Sequence, residues 1–176
     1  LSEGQQSALD TCREHIEAKK GGFIFITGKA GTGKSTILRE LKSQYRCIVT
    51  APTGLAAINV GGQTIHSMFG FSIGPQTKRK VRGNFTKEEI FARAAAIVID
   101  EVSMVRADLL DAINWSLQKT LENDEPFGGK LIIAFGDMWQ LEPVVSNEES
   151  EFITSRYKSP FWFDARVFGK PDQRSL

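Results

Sequence analysis

Cysteine is scarce: Cys12 and Cys47 are the only two among 176 residues, far apart and without a metal-ligand spacing. No disulfide framework or cysteine-ligated metal is expected, and a reducing, intracellular setting is the simpler inference, its compartment left open. Long apolar runs are missing too. Nothing approaches the roughly 18 residues that span a bilayer, and the first residues show no signal-peptide pattern, so the chain reads as soluble with no membrane partner. An excess of one charge is also absent: 22 basic against 21 acidic side chains leave a net charge of +1. Global charge therefore announces no polyanionic partner, and any nucleic-acid surface must be a local patch. Internal repeats and low-complexity tracts are not found, and the length suits one compact domain.

What is present is unevenly distributed. Lys78, Arg79, Lys80, Arg82 and Lys87 precede the first acid of their stretch, Glu88, whereas Glu148, Glu149 and Glu151 crowd together later. The Lys78 to Arg82 run reads first as a solvated loop and second as a nucleic-acid contact. Ala8, Leu9, Cys12 and Ile16 recur at helical spacing, predicting an amphipathic helix over 5–19 that ends at Gly21 and Gly22. Apolar stretches at 23–27, 47–50, 96–100 and 130–135 predict strands. Helices are expected from 34 to about 45, around 55–58, over 87–94 and over 106–120, with a long basic loop over 71–86. Nearly all-apolar strands alternating with helices indicate an α/β fold with a parallel sheet covered on both faces.

Residues 28–35 read GKAGTGKS, which fits the phosphate-binding pattern GxxxxGK[ST] without a mismatch, directly after an apolar strand. Glycines at 28, 31 and 33 let backbone amides curl around an anion, while the Lys34 ammonium and the following helix N-terminus add positive potential. A plain glycine-rich turn would leave the Lys-Ser pair unexplained. The nucleotide-binding set is Gly28, Ala30, Gly31, Thr32, Gly33, Lys34, Ser35 and Thr36, with ATP as the expected ligand. A second apolar strand ends in Asp100 and Glu101. Such a pair, alone, is often a solvated strand end; beside a phosphate loop, Asp100 and the Ser35 hydroxyl are expected to hold Mg²⁺. Glu101 then orients or deprotonates the attacking water. The next strand ends in Gly136, Asp137, Met138, Trp139 and Gln140, and its C-terminal end should open onto the same crevice. From spacing alone Gln140 is equally an ordinary loop residue.

Taken together, LSEGQ at 1–5, GKAGTGKS, APTGLAA with GQTIHSMFG, DEVSM, and PFGGK followed by GDMWQLEPV resemble the motor domain of the Pif-type DNA helicases. The resemblance covers nearly the whole chain. It implies a RecA-like P-loop domain of a superfamily 1B enzyme that moves 5′ to 3′ on single-stranded DNA, working as a monomer. By that likeness Gln5 reads adenine and Gln140 couples to the γ-phosphate. Pro52, Thr53, Gly54, Thr64 and His66 become strand-binding residues, since hydroxyl and backbone N–H groups can fix phosphates without reading sequence. Phe69 and Phe71 are candidates for base stacking or for the core, and Trp115 and Trp139 are assigned mainly to packing.

Two departures stand out. Glu142 occupies a position where the family usually has proline, placing a carboxylate near the nucleotide or DNA path. The family also continues into a second motor domain bearing a transition-state arginine; after Val144 no further family motif is matched, and Arg156 and Arg166 carry no family assignment. That second domain is expected to lie outside this chain and to be its partner. Two other readings stay open at this point: a P-loop kinase, against which Glu101 speaks, and a nucleotide-gated DNA-binding module without useful turnover.

Overall fold

The computed structural model describes residues 1–169. Five parallel strands form one sheet: β1 (Gly22–Thr27), β2 (Cys47–Ala51), β3 (Gln63–Thr64), β4 (Ala96–Ile99) and β5 (Leu131–Gly136), in the order β1-β5-β4-β2-β3. The chain thus leaves β1, builds the far side of the sheet, and returns to insert β4 and then β5 into the middle. In register, Thr27 lies beside Gly136 and Thr50 beside Ile99, so the C-terminal ends of the central strands emerge together.

Alternation of side chains across the pleat explains why β4 and β5 are apolar throughout. Val98, Ile133 and Phe135 face one layer with Leu9 and Cys12 of α1 (Glu3–Glu17) and with Ile37, Leu38 and Leu41 of α2 (Lys34–Gln44). Ile97, Ile99, Ile132 and Ala134 face the other layer, against Leu110, Ile113 and Leu117 of α6 (Ala107–Leu121). In sequence between α2 and α6 come α3 (Gly54–Val60), α4 (Ile65–Phe69) and α5 (Glu88–Arg93), the last two adding Ile65, Phe69 and Phe91 to the α6 layer, and α7 (Asn147–Arg156) follows β5. The expected α/β architecture, with its helices on both faces, is therefore observed.

Three elements lacked a strong periodic signal. β3 has two residues and α4 five, too short for periodicity to register. α7 begins with a capping box in which Ser146 and Glu149 satisfy each other's backbone N–H groups, a signature legible in Ser146-Asn-Glu-Glu149. Its apolar face is narrow, only Ile153 being fully buried. The 71–86 stretch is a loop as expected, closed by a 3₁₀ turn at Phe85–Lys87. It is held firmly: the Gln76 N–H donates to Asp108 Oδ2 at 2.8 Å, and Asn84 N–H donates to Thr120 Oγ at 2.8 Å.

The segment after α7 is anchored by one buried carboxylate on α6. Asp111 accepts from the Tyr157 hydroxyl at 2.8 Å and from the backbone N–H groups of Arg166 and Val167, each at 3.0 Å. Replacing it with alanine strands three buried or half-buried donors. Asp111→Ala is expected to destabilise the domain by about 3 kcal/mol, read as a fall of about 10 °C in the unfolding midpoint. A change below about 2 °C would show that the segment does not depend on this anchor.

Candidate nucleotide site and strand-binding face

The phosphate loop is shaped by its glycines. Gly31 (φ 81°) and Gly33 (φ 87°) occupy left-handed backbone that side-chain-bearing residues rarely adopt. Gly33 caps α2 without a side chain, so the first N–H groups of that helix face the loop. Lys34 Nζ donates to the carbonyls of Gly28 and Lys29, the latter at 3.0 Å, folding the ammonium across the loop. Thr32 Oγ closes the turn by donating to Lys29 O at 2.8 Å. Ala30 is exposed on the loop, while Ser35 and Thr36 lie in the first turn of α2.

Gln5 reaches this loop from α1. Its Oε1 accepts from Ser2 N–H at 2.9 Å and its Nε2 donates to Thr32 O at 2.7 Å, so one amide caps the helix and touches the loop.

At the end of β4 the backbone of Glu101 turns left-handed (φ 52°), a conformation that costs a non-glycine residue about 1 kcal/mol or more. The turn drives Val102 and Ser103 into the core and leaves Glu101 half-exposed. Gly136 makes room for it: a Cβ there would stand 2.9 Å from Val102 Cγ1. Burial pushes the Asp100 carboxyl above its ordinary value. It does the same to Glu101, which the Asp100 charge raises further, while the Lys34 ammonium pulls both back down. A carboxylate pair that is costly to ionise favours a cation beside it.

Ser35, Asp100, Glu101 and Gln140 line a single crevice of about 970 Å³ at the C-terminal ends of the strands. Magnesium fits the donors present there, a hydroxyl and a carboxylate. Among the described residues no cluster of three or more His, Cys, Asp or Glu side chains could hold a metal, so remaining ligands would have to come from nucleotide and water. Glu142 lines the same crevice. Gln140 is exposed, on a turn in which its N–H donates to Asp137 O at 3.1 Å and Trp139 N–H donates to Asp137 Oδ1 at 3.0 Å. Trp139 corrects the packing expectation. It is 90 % exposed, because this turn lifts it off the sheet end.

The proposed strand-binding residues separate into two groups. Pro52, Thr53 and His66 line a hollow of about 290 Å³ that shares Thr53 and Met104 with the nucleotide crevice. Gly54 and Thr64 do not line it. Thr53 and Thr64 are also helix caps, their hydroxyls accepting from Ala56 N–H at 3.2 Å and Ser67 N–H at 3.1 Å. Burial pushes the His66 imidazole below its usual value, and the Arg106 charge adds to this. Arg106, which sequence reasoning passed over, is 13 % exposed and bridges Asp108 and Glu149 at 2.8 and 2.9 Å in the floor of the hollow. No local motif marks it, because its partners lie on two different helices. Phe69 belongs to the core: it is 3 % exposed and stacked between Phe71 and Phe91.

Among the described residues, no helix is long and apolar enough to cross a membrane. A family model described as PIF1-like helicase matches residues 1–169. The chain belongs to the PIF1-like helicase family. Within that family it is similar to the ATP-dependent DNA helicase PIF1 of Saccharomyces cerevisiae, 41 % identical over 173 residues that cover 92 % of this chain and 19 % of the yeast protein. The Pif1 helicase of a Psychrobacter species is 35 % identical, over 92 % of this chain and 25 % of its own length. Among solved structures, Bacteroides Pif1 bound to ssDNA superposes with a TM-score of 0.85 at 43 % identity, over 96 % of this chain and 39 % of that one. A complex of Bacteroides Pif1 with ADP-AlF3 and ssDNA gives 0.82, also at 43 % identity, over 91 % of this chain and 38 % of that one. The chain therefore spans about a quarter or less of these two curated relatives.

Proposed function

We propose that this chain is the first, ATP-hydrolysing motor domain of an intracellular 5′-to-3′ DNA helicase that acts on single-stranded DNA. The observation that carries the reading is the convergence of Ser35, Asp100, Glu101 and Gln140 on one crevice, with Lys34 close enough to bias both carboxyls. In this reading Lys34 leaves the loop carbonyls to contact the β and γ phosphates, the amides of residues 28–36 cradle them, and Gln5 contacts adenine. Ser35 and Asp100 hold magnesium, which neutralises phosphate charge when bound. Glu101 orients or deprotonates the attacking water, and Gln140 contacts the γ-phosphate. The relatives named for ATP-dependent DNA helicase activity, and the family structure with ADP-AlF3 and ssDNA, support it.

Lys34→Ala is expected to abolish tight MgATP binding while leaving the fold intact, because the side chain is spent on its own loop rather than on the core. Calorimetry showing unchanged affinity would remove Lys34 from the site. A kinase would use the same loop, so the discriminating assay is hydrolysis with and without single-stranded DNA, provided with the second motor domain; stimulation is expected of a motor alone.

For DNA, affinity should be insensitive to base sequence and should fall as salt rises. Thr53→Ala removes both a hydroxyl facing the strand hollow and a helix cap, and caps are worth about 1 kcal/mol. Binding is expected to weaken severalfold, with Thr53→Ser restoring it. If unaltered protein binds no DNA at low salt, the first-domain strand assignments lose their support.

A further inference from the structure

We propose that the cleft between α6 and the 71–86 loop is a second contact surface for single-stranded DNA, with Trp115 as a stacking platform and Lys78, Arg156 and Arg166 as phosphate contacts. The proposal rests on the strand-binding reading above and extends it beyond the Thr53 hollow.

The cleft measures about 470 Å³, and those four side chains line it. Trp115 is partly exposed on α6, and the three cations are exposed around it. Among the described residues none of the three forms an ion pair. The acid in the lining, Asp111, is buried and spent on Tyr157 and two backbone N–H groups. Both guanidinium groups are braced by rings, Arg156 at 4.2 Å from the Phe152 centroid and Arg166 at 5.5 Å from that of Tyr157. Rings of this kind orient an arginine without neutralising it.

Positive potential is concentrated here although the chain as a whole carries +1. Lys119, one turn beyond Trp115 on α6, donates to the carbonyls of Lys78 and Val81 and so pins the basic loop against the helix. Burial pushes its ammonium down, and the Lys78 and Arg82 charges push it further. A partly exposed indole among unpaired cations matches what a single strand needs: phosphates neutralised along a groove and a flat surface for a base.

The cleft also borders the proposed strand hollow. The nucleotide crevice shares Thr53 and Met104 with the strand hollow, and the hollow shares Gln76 with this cleft. Gln76 is buried, its amide donating to the carbonyls of Ser72 and Gly74, so the hollow and the cleft are neighbours on either side of one side chain.

The test uses the unaltered chain and variants with a fluorescein-labelled oligothymidylate of about 20 nucleotides, longer than one binding site, with affinity read by anisotropy across a salt series. Trp115→Ala should weaken binding about tenfold and Trp115→Phe should recover most of the loss. Lys78→Gln and Arg166→Gln should each lower the slope of log affinity against log salt by about 0.7. Both residues are exposed, so unfolding midpoints should not move; MgATP binding should also be unchanged. Unaltered affinity and slope in all cleft variants, with Thr53→Ala still weakening binding, would overturn the cleft and leave the strand-binding reading intact. The reverse pattern would support the cleft and remove Thr53. Poly-glutamate binding as tightly as the oligonucleotide, indifferent to Trp115, would make the cleft an acidic-peptide site and overturn the proposal. Failure of the unaltered chain to bind DNA at low salt would overturn both.

Discussion

Residues 1–176 alone should bind ATP yet hydrolyse it slowly and unwind nothing, and adding a second motor domain should raise DNA-stimulated turnover by about 10³ to 10⁵. Ser35 and Asp100, the proposed magnesium holders, and Glu101, the proposed base, line one crevice, but no arginine is among the side chains that line it. Charge developing on the transferred phosphoryl group therefore lacks the donor that such reactions recruit, and chemistry is limited before binding is. Arg106, half-buried in the neighbouring hollow, is committed to Asp108 and Glu149. Phosphate release would be followed for the chain alone and with the second domain of a family member supplied on the same chain or in trans. Robust unwinding by the purified chain, absent from a Lys34→Ala control, would refute the assignment as one half of a motor.

Glu101→Gln should lower turnover by about 10² to 10⁴ while nucleotide still binds. The substitution preserves shape at a residue whose left-handed backbone and position over the Val102 turn are fixed by the fold. It removes the ability to accept a proton. Removing the acid also removes a like charge beside Asp100, so nucleotide binding should be unchanged or slightly tighter. Normal hydrolysis by this variant would take Glu101 out of the mechanism, and loss of nucleotide binding would recast it as a ligand-holding residue.

Much of this was legible because the informative residues are contiguous. The phosphate loop and the Asp100-Glu101 pair each follow an apolar strand, and the ends of those apolar runs marked where the strands stop. Helix limits differed by a residue or two: α1 covers 3–17 rather than 5–19, since the capping box of Ser2 and Gln5 starts it earlier. What composition could not supply was surroundings. Trp139 and Trp162 are the same residue type, yet one projects from a turn and the other is buried against Phe23 and Phe25. Asp111 draws its role from partners 46 to 56 residues along the chain, and Arg106 pairs with Glu149 43 residues away as well as with nearby Asp108; no local pattern encodes those distances. The basic 78–82 run was visible, whereas its approach to Trp115, Arg156 and Arg166 required three separate elements to fold against one another.

The insertion of β5 between β1 and β4 has a mechanical corollary. Its backbone is bonded along one edge to the strand that carries the phosphate loop and along the other to the strand that carries the two carboxylates. The turn bearing Trp139 and Gln140 thus grows from the one strand whose backbone is shared by the loop-bearing and the carboxylate-bearing edges of the crevice.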